Sequence, residues 1–252
     1  LEYMQILIGC AKIMTGCAPS DISFATEPTF QSQANDNAMQ MLNYSVEELC
    51  EMLHINRDMA LENWKRFRSF HDNSIRQPAA FCYDGMVYQR LAPETLSDSE
   101  LRYANDHLMI SSFLYGILRP LDMINKYRLE GNVILPNNNS KSMFDFWKPI
   151  LTDWFINKIK ADDGILVYLA SDEMRNLFDW KRVKSEVKVI TPTFKVDKNG
   201  KLKTIVIYTK MCRGAMARYI IKNRITNIDE LKSFEYEGFS IDDSNEEWNY
   251  IL

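Results

Sequence analysis

Glu51-Met52-Leu53-His54 is the one stretch with the spacing of an iron ligand motif. A Glu-x-x-His pair on a helix turns both side chains to one face, and di-iron carboxylate bundles need two such pairs plus further glutamates. His71 and His107 follow Arg68 and Ala104 at that spacing, so a second pair is missing. No Cys/His run is spaced as a zinc site. The expectation is a chain with no metal and no cofactor. Ser171-Asp172-Glu173 closes an apolar run and suits an acid–base site together with Lys12. As a plain structural alternative, Ser171 or Asp172 caps the helix that follows. A third group is basic: Lys12, Arg119, Arg128, Lys210, Arg213 and Arg218 stand at the expected ends of elements. Arg213-Gly214 reads as a helix opening, where unpaired N–H groups and a partial positive charge favour phosphate. Arginine forks match phosphate oxygens. Five such contacts would cost about 500-fold in DNA affinity between 50 and 200 mM salt.

The elements that must position these groups are legible in outline. Gln5 to Ile8 is a short apolar run read as a buried strand, which leaves Lys12 just past its C-terminal end, where ligands commonly bind in α/β sheets. Ser45 with Glu48 forms a capping box ahead of Val46, Leu49, Cys50 and Leu53 at helical spacing. His54-Ile55 makes a tight turn, and Asn56 caps a second helix carrying Ala60, Trp64 and Phe67. Such a pair resembles a helix-hairpin-helix, although the usual hairpin glycine is absent. Ser97 with Glu100 caps another helix, and Trp147, Ile150, Leu151, Trp154 and Phe155 mark the core face of a longer one. Ile165 to Ala170 is a strand buried on both faces. Val187 to Val196 and Leu202 to Thr209 read as strands flanking the Asn199-Gly200 turn; Gly214 to Asn223 is helical, and Asn227 with Glu230 caps a last helix. The fold class expected is α+β, a mixed α/β arrangement in which surrounding helices cover a mixed sheet. One domain spans residues 4–252, with Leu1 to Tyr3 a remnant ahead of a natural start at Met4.

Composition sets the outer bounds. The 252 residues are 46% hydrophobic and 25% charged, the profile of a folded globular chain. No apolar run is long enough for a membrane span, and no signal peptide is evident, so a cytoplasmic protein is expected. Its nine glycines are too far apart for a Walker A loop or a dinucleotide fingerprint. Five cysteines without a C-x-x-C read as reduced thiols. Net charge is −4 but unevenly spread. Residues 201–224 carry Lys201, Lys203, Lys210, Arg213, Arg218, Lys222 and Arg224 with no acid, whereas residues 225–252 carry eight acids and Lys232 alone. That asymmetry suggests an anionic partner for the basic part; the plainer alternative is a solvated face beside a solvated tail.

Several segments together resemble the peroxide-stress protein YaaA family over nearly the whole chain. They are Ile6-Leu7-Ile8-x-x-Ala11-Lys12, Gly85-x-Val87-Tyr88, Leu114-Tyr115-Gly116-Ile117-Leu118-Arg119-Pro120-Leu121-Asp122, and Tyr127-Arg128-Leu129-Glu130. Leu169-Ala170-Ser171-Asp172-Glu173 and Tyr208-Thr209-Lys210-x-x-Arg213-Gly214-x-Met216-x-Arg218 complete the set. The resemblance implies a cytoplasmic bacterial protein that binds DNA and limits iron-dependent oxidative damage, with a helix-hairpin-helix and a positively charged cleft. The chain departs from the family pattern at Gly9 (Ser), Cys10 (Pro), Met86 (Asp), Gly131 (Met), Met174 (Tyr) and Met211 (Lys). On this reading Lys12, Arg119, Arg128, Lys210, Arg213 and Arg218 converge on one cleft and hold the phosphates of double-stranded DNA without reading bases. His54, Asn56 and Arg57 add hairpin contacts, and Ser171, Glu173, Tyr115 and Glu130 are polar cleft residues. The rival is an enzyme acting on a small phosphorylated or nucleotide-like ligand in the same cleft. A small, deep pocket favours the rival; a broad groove favours DNA. A third reading has the acidic tail covering the basic patch, so that deleting residues 235–252 would strengthen DNA binding.

Overall fold

The apolar run Gln5–Gly9 (β1) is the central strand of a five-stranded sheet. The structure is a computed structural model, and it describes residues 3–252. The later strands are β2 (Gln77–Pro78), β3 (Leu108–Ser112), β4 (Gly116–Leu118), β5 (Met123–Ile124), β6 (Ile165–Leu169), β7 (Lys188–Ile190), β8 (Thr193–Lys198), β9 (Lys201–Lys203), β10 (Ser240–Ile241) and β11 (Asn249–Ile251). The helices are α1 (Gln31–Met41), α2 (Val46–Leu53), α3 (Arg57–Arg68), α4 (Ala79–Cys82), α5 (Met86–Leu91), α6 (Asp98–His107), α7 (Met143–Lys160), α8 (Trp180–Glu186) and α9 (Val206–Asn223). This is an α+β fold with mixed sheets.

The main sheet runs β4-β3-β1-β6-β7, parallel throughout except for β4. Its central strands are buried almost end to end, which explains why they read as continuous apolar runs. Trp147, Leu151 and Phe155 of α7 are fully buried, and the Trp147 indole N–H donates to the Phe113 carbonyl at 2.7 Å. α9 also packs on β1 and β6, and its most extensive partner is α5. A smaller sheet, β10-β11-β8-β9, pairs β8 and β9 around the Asn199-Gly200 turn.

Local signals set most boundaries. Both capping boxes form, Ser45 with Glu48 and Ser97 with Glu100. α2 and α3 make the expected helical hairpin: His54 ends α2 in the left-handed conformation (φ 52°), and the Asn56 side chain accepts from the Met59 N–H at 2.9 Å. His54 therefore leaves the helix, and Glu51 and His54 are not one helical face.

Four expectations change. The stretch Val187 to Val196 is two strands in two sheets, because Pro192 lacks the N–H that would continue a ladder. Strand β9 stops at Lys203, and Val206 to Thr209 form the first turn of α9. Its β-branched residues favour strand, but burial of Thr209, Cys212 and Met216 along one side extends the helix backwards. The Thr209 hydroxyl then reaches the Phe194 carbonyl at 3.5 Å. Arg213 consequently lies in mid-helix, not at a helix opening. Asn227 caps a 3₁₀ turn, Ile228–Ser233, rather than an α-helix. Nor is the acidic segment a loose tail, since β11 pairs with β8 and Tyr250 and Phe239 are buried. Deleting residues 235–252 would dismantle this sheet, so the deletion would not isolate the charge.

Candidate functional site at the strand ends

β1 and β6 are parallel neighbours, so their C-terminal ends open side by side. The chain leaves them as Gly9-Cys10-Ala11-Lys12 and Ala170-Ser171. A cavity of about 420 Å³ lies here, at the position where open parallel sheets characteristically bind ligands. The α4–α5 connection supplies Asp84 and Gly85, α5 supplies Met86, Val87 and Tyr88, and the segment after β5 supplies Tyr127 to Glu130. Gly85 permits the approach of α5, because a Cβ there would stand 3.2 Å from the Ala11 Cβ.

A buried phenol network shapes the wall. Tyr88 donates to the Gly9 carbonyl at 2.8 Å. The Tyr127 hydroxyl bonds Tyr83 at 2.6 Å and Ser112 at 2.5 Å, and Ser112 also accepts from the Tyr115 N–H. Burial raises all three phenols, Tyr83, Tyr88 and Tyr127, well above the usual range. They act as neutral hydrogen-bonding groups.

Of the six basic residues expected to converge, four line this cavity: Lys12, Arg128, Lys210 and Arg213. Glu130 sits between the first two, with its Oε1 3.6 Å from Lys12 Nζ and 3.5 Å from Arg128 Nη2. Lys210 and Arg213 differ: among the described residues no carboxylate lies within ion-pairing distance of either. They stand one turn apart on α9, with Lys210 exposed and Arg213 half-buried. Burial holds the Arg213 guanidinium below its usual range, partly offset by Tyr168 and Asp172.

Arg119 and Arg218 do not join them. Arg119 donates to the Glu27 carbonyl at 2.7 Å and pairs with the fully buried Asp122 at 3.0 Å. Arg218 donates to the Leu91 and Ala92 carbonyls at 3.1 and 3.2 Å, closing the end of α5. Each arginine is thus taken up by backbone carbonyls away from the cavity. Ser171, Glu173 and Glu130 line the cavity, whereas Tyr115 is buried in the core with its hydroxyl accepting from the Asn125 N–H at 3.0 Å. His54, Asn56 and Arg57 lie at the α2–α3 junction outside the cavity, and Arg57 faces Glu47 at 3.4 Å.

Cys10 is the lining residue whose place the sequence did not announce. Its thiol is pushed up to about 12 by burial, then by the Glu130 and Glu173 carboxylates. A thiol so shifted carries almost no thiolate near neutrality and is a poor nucleophile. Iodoacetamide at pH 8 should therefore modify the exposed Cys17 on the order of 100 times faster than Cys10. Peptide mapping after timed alkylation reads this directly; equal rates would contradict the shift.

Residues 4–245 match the family described as "Peroxide stress protein YaaA". The chain belongs to this family. Among its relatives, a UPF0246 protein of Bacteroides fragilis is 51% identical over 251 residues, covering 99% of this chain and 98% of the relative. One from Phocaeicola vulgatus is 52% identical over 240 residues (95% and 94%), and one from Porphyromonas gingivalis 43% over 254 (99% of each). Four positions at which this YaaA-family chain departs from the expected pattern, Gly9, Cys10, Met86 and Met174, all line the cavity. Two of them are neighbours, since a Cβ added at Gly9 would stand 3.6 Å from the Met174 Cε.

Proposed function

We propose that the strand-end cavity binds a phosphorylated, nucleotide-like group, and that this member of the peroxide stress family acts through that binding. The observation that carries the reading is the pair Lys210 and Arg213, two cations that line a partly open cavity with no carboxylate partner among the described residues. A half-buried guanidinium with no counter-ion is stabilised by an anionic ligand, and its fork suits phosphate. The volume fits a small ligand. Tyr88, Phe113 and Tyr127 offer apolar surface for a base, and Ser171, Glu130 and Glu173 offer polar partners for a base or sugar edge.

Double-stranded DNA is the second reading, favoured by Lys12 and Lys210, which are exposed at the cavity rim. Duplex phosphates would meet the rim, with the α2–α3 hairpin adding contacts. Because Glu130 offsets one of the two charges of Lys12 and Arg128, two or three contacts remain. That lowers the expected loss of affinity between 50 and 200 mM salt to about 12- to 40-fold. In either reading residues 4–252 act as one domain in the cytoplasm; no described helix is long and apolar enough to cross a membrane.

Calorimetric titration with AMP and with adenosine separates the readings. Saturable binding of AMP, with adenosine at least tenfold weaker, is the expected result. If neither binds while duplex DNA shifts in gels with the stated salt dependence, the DNA reading replaces the first.

A further inference from the structure

Beside the cavity, which Arg128 and Arg213 line, lies a third arginine. A 3₁₀ turn, Asp172–Leu177, begins directly after Ser171 and carries Arg175. The Arg175 guanidinium carbon lies 5.0 Å from the Tyr168 ring centre and 5.6 Å from that of Trp180, and those two rings are 5.0 Å apart. The two rings hold the guanidinium beside them, and its N–H groups not taken up by Asp172 and Tyr168 remain to recognise an anion. The Tyr168 hydroxyl donates to the Ser171 carbonyl at 2.5 Å, which ties the platform to the cavity rim.

Charge at this point is unbalanced. Arg175 Nη1 pairs with Asp172 Oδ1 at 3.2 Å, but Asp172 is 90% exposed. The Arg175 Nε is buried without a hydrogen-bond partner. Arg213, on α9, lies in the electrostatic field of the same Tyr168, Asp172 and Arg175. Arg175 thus faces only a solvated carboxylate, next to a cavity whose Lys210 and Arg213 have no carboxylate within ion-pairing distance among the described residues.

We infer that Arg175 forms a second anion seat adjoining the cavity, beside that of Lys210 and Arg213, so that the ligand carries two linked phosphates. This rests on the nucleotide reading above and narrows it to nucleoside diphosphates or their esters. Lys210 and Arg213 hold the phosphate next to the cavity, and Arg175 reaches the one beyond.

Titration of the full chain and of Arg175→Gln with adenosine, AMP and ADP tests the inference. In the native chain ADP should bind at least tenfold more tightly than AMP, and Arg175→Gln should bring that ratio close to one. Arg175→Lys keeps the charge and the stem over the rings but loses the fork, so its ratio should fall between. If AMP binds and ADP binds no better, or the ratio survives in Arg175→Gln, the second seat is overturned while the nucleotide reading stands. Should none of the three ligands bind, the nucleotide reading itself fails and takes this inference with it.

Discussion

Gly214→Ala is expected to lower the thermal midpoint by about 6–12 °C, the size expected from roughly 3 kcal/mol of overpacking in a chain of this length. Helix propensity argues the other way, since alanine is favoured over glycine inside a helix by about 1 kcal/mol. Packing decides. A Cβ at Gly214 would stand 2.1 Å from the Val87 carbonyl oxygen, 2.9 Å from its carbon and 3.0 Å from the Arg90 Cβ. The first two are backbone atoms, which cannot swing aside as a side chain would. α5 and α9 must separate, and Val87 belongs to the cavity wall. AMP affinity should therefore fall with the midpoint. A midpoint equal to the native one, measured by calorimetry, would mean that the two helices do not approach as described.

What the sequence made legible depended on how local the determining interaction was. Capping boxes lie within four residues, and Ser45–Glu48 and Ser97–Glu100 form as read. The apolar runs at Gln5–Gly9 and Ile165–Leu169 are strands because burial on both faces leaves little choice. Val206 to Thr209 prefer strand locally, but the force on them is tertiary, the packing of α9. The arginines give the sharpest case. Arg119 and Arg218 have the same residue type and placement as Arg213, yet they serve backbone carbonyls and a buried carboxylate. Asp122, three residues after Arg119, was the available signal for one of them. Nothing near Arg218 in sequence pointed to Leu91 and Ala92, more than a hundred positions away. Asp84 to Tyr88 join the site only through such distant contacts.

The largest effect on binding is expected where two cations act together. Charge-assisted hydrogen bonds to a phosphate contribute about 1.5–3 kcal/mol each. Replacing both Lys210 and Arg213 by glutamine should therefore weaken AMP by about 100-fold or more, since about 1.4 kcal/mol is tenfold. Adenosine, which lacks the phosphate, should change little. Lys12 and Arg128 substitute only in part, because Glu130 offsets one of their two charges.

The proposed function requires that the positive charge of Lys210 and Arg213 on α9 capture phosphate at the ends of β1 and β6. Calorimetric titration of AMP into the native chain and into Lys210→Gln/Arg213→Gln measures that most directly. The account predicts saturable binding to the first and its near-complete loss in the second; equal AMP affinity in both proteins would contradict it.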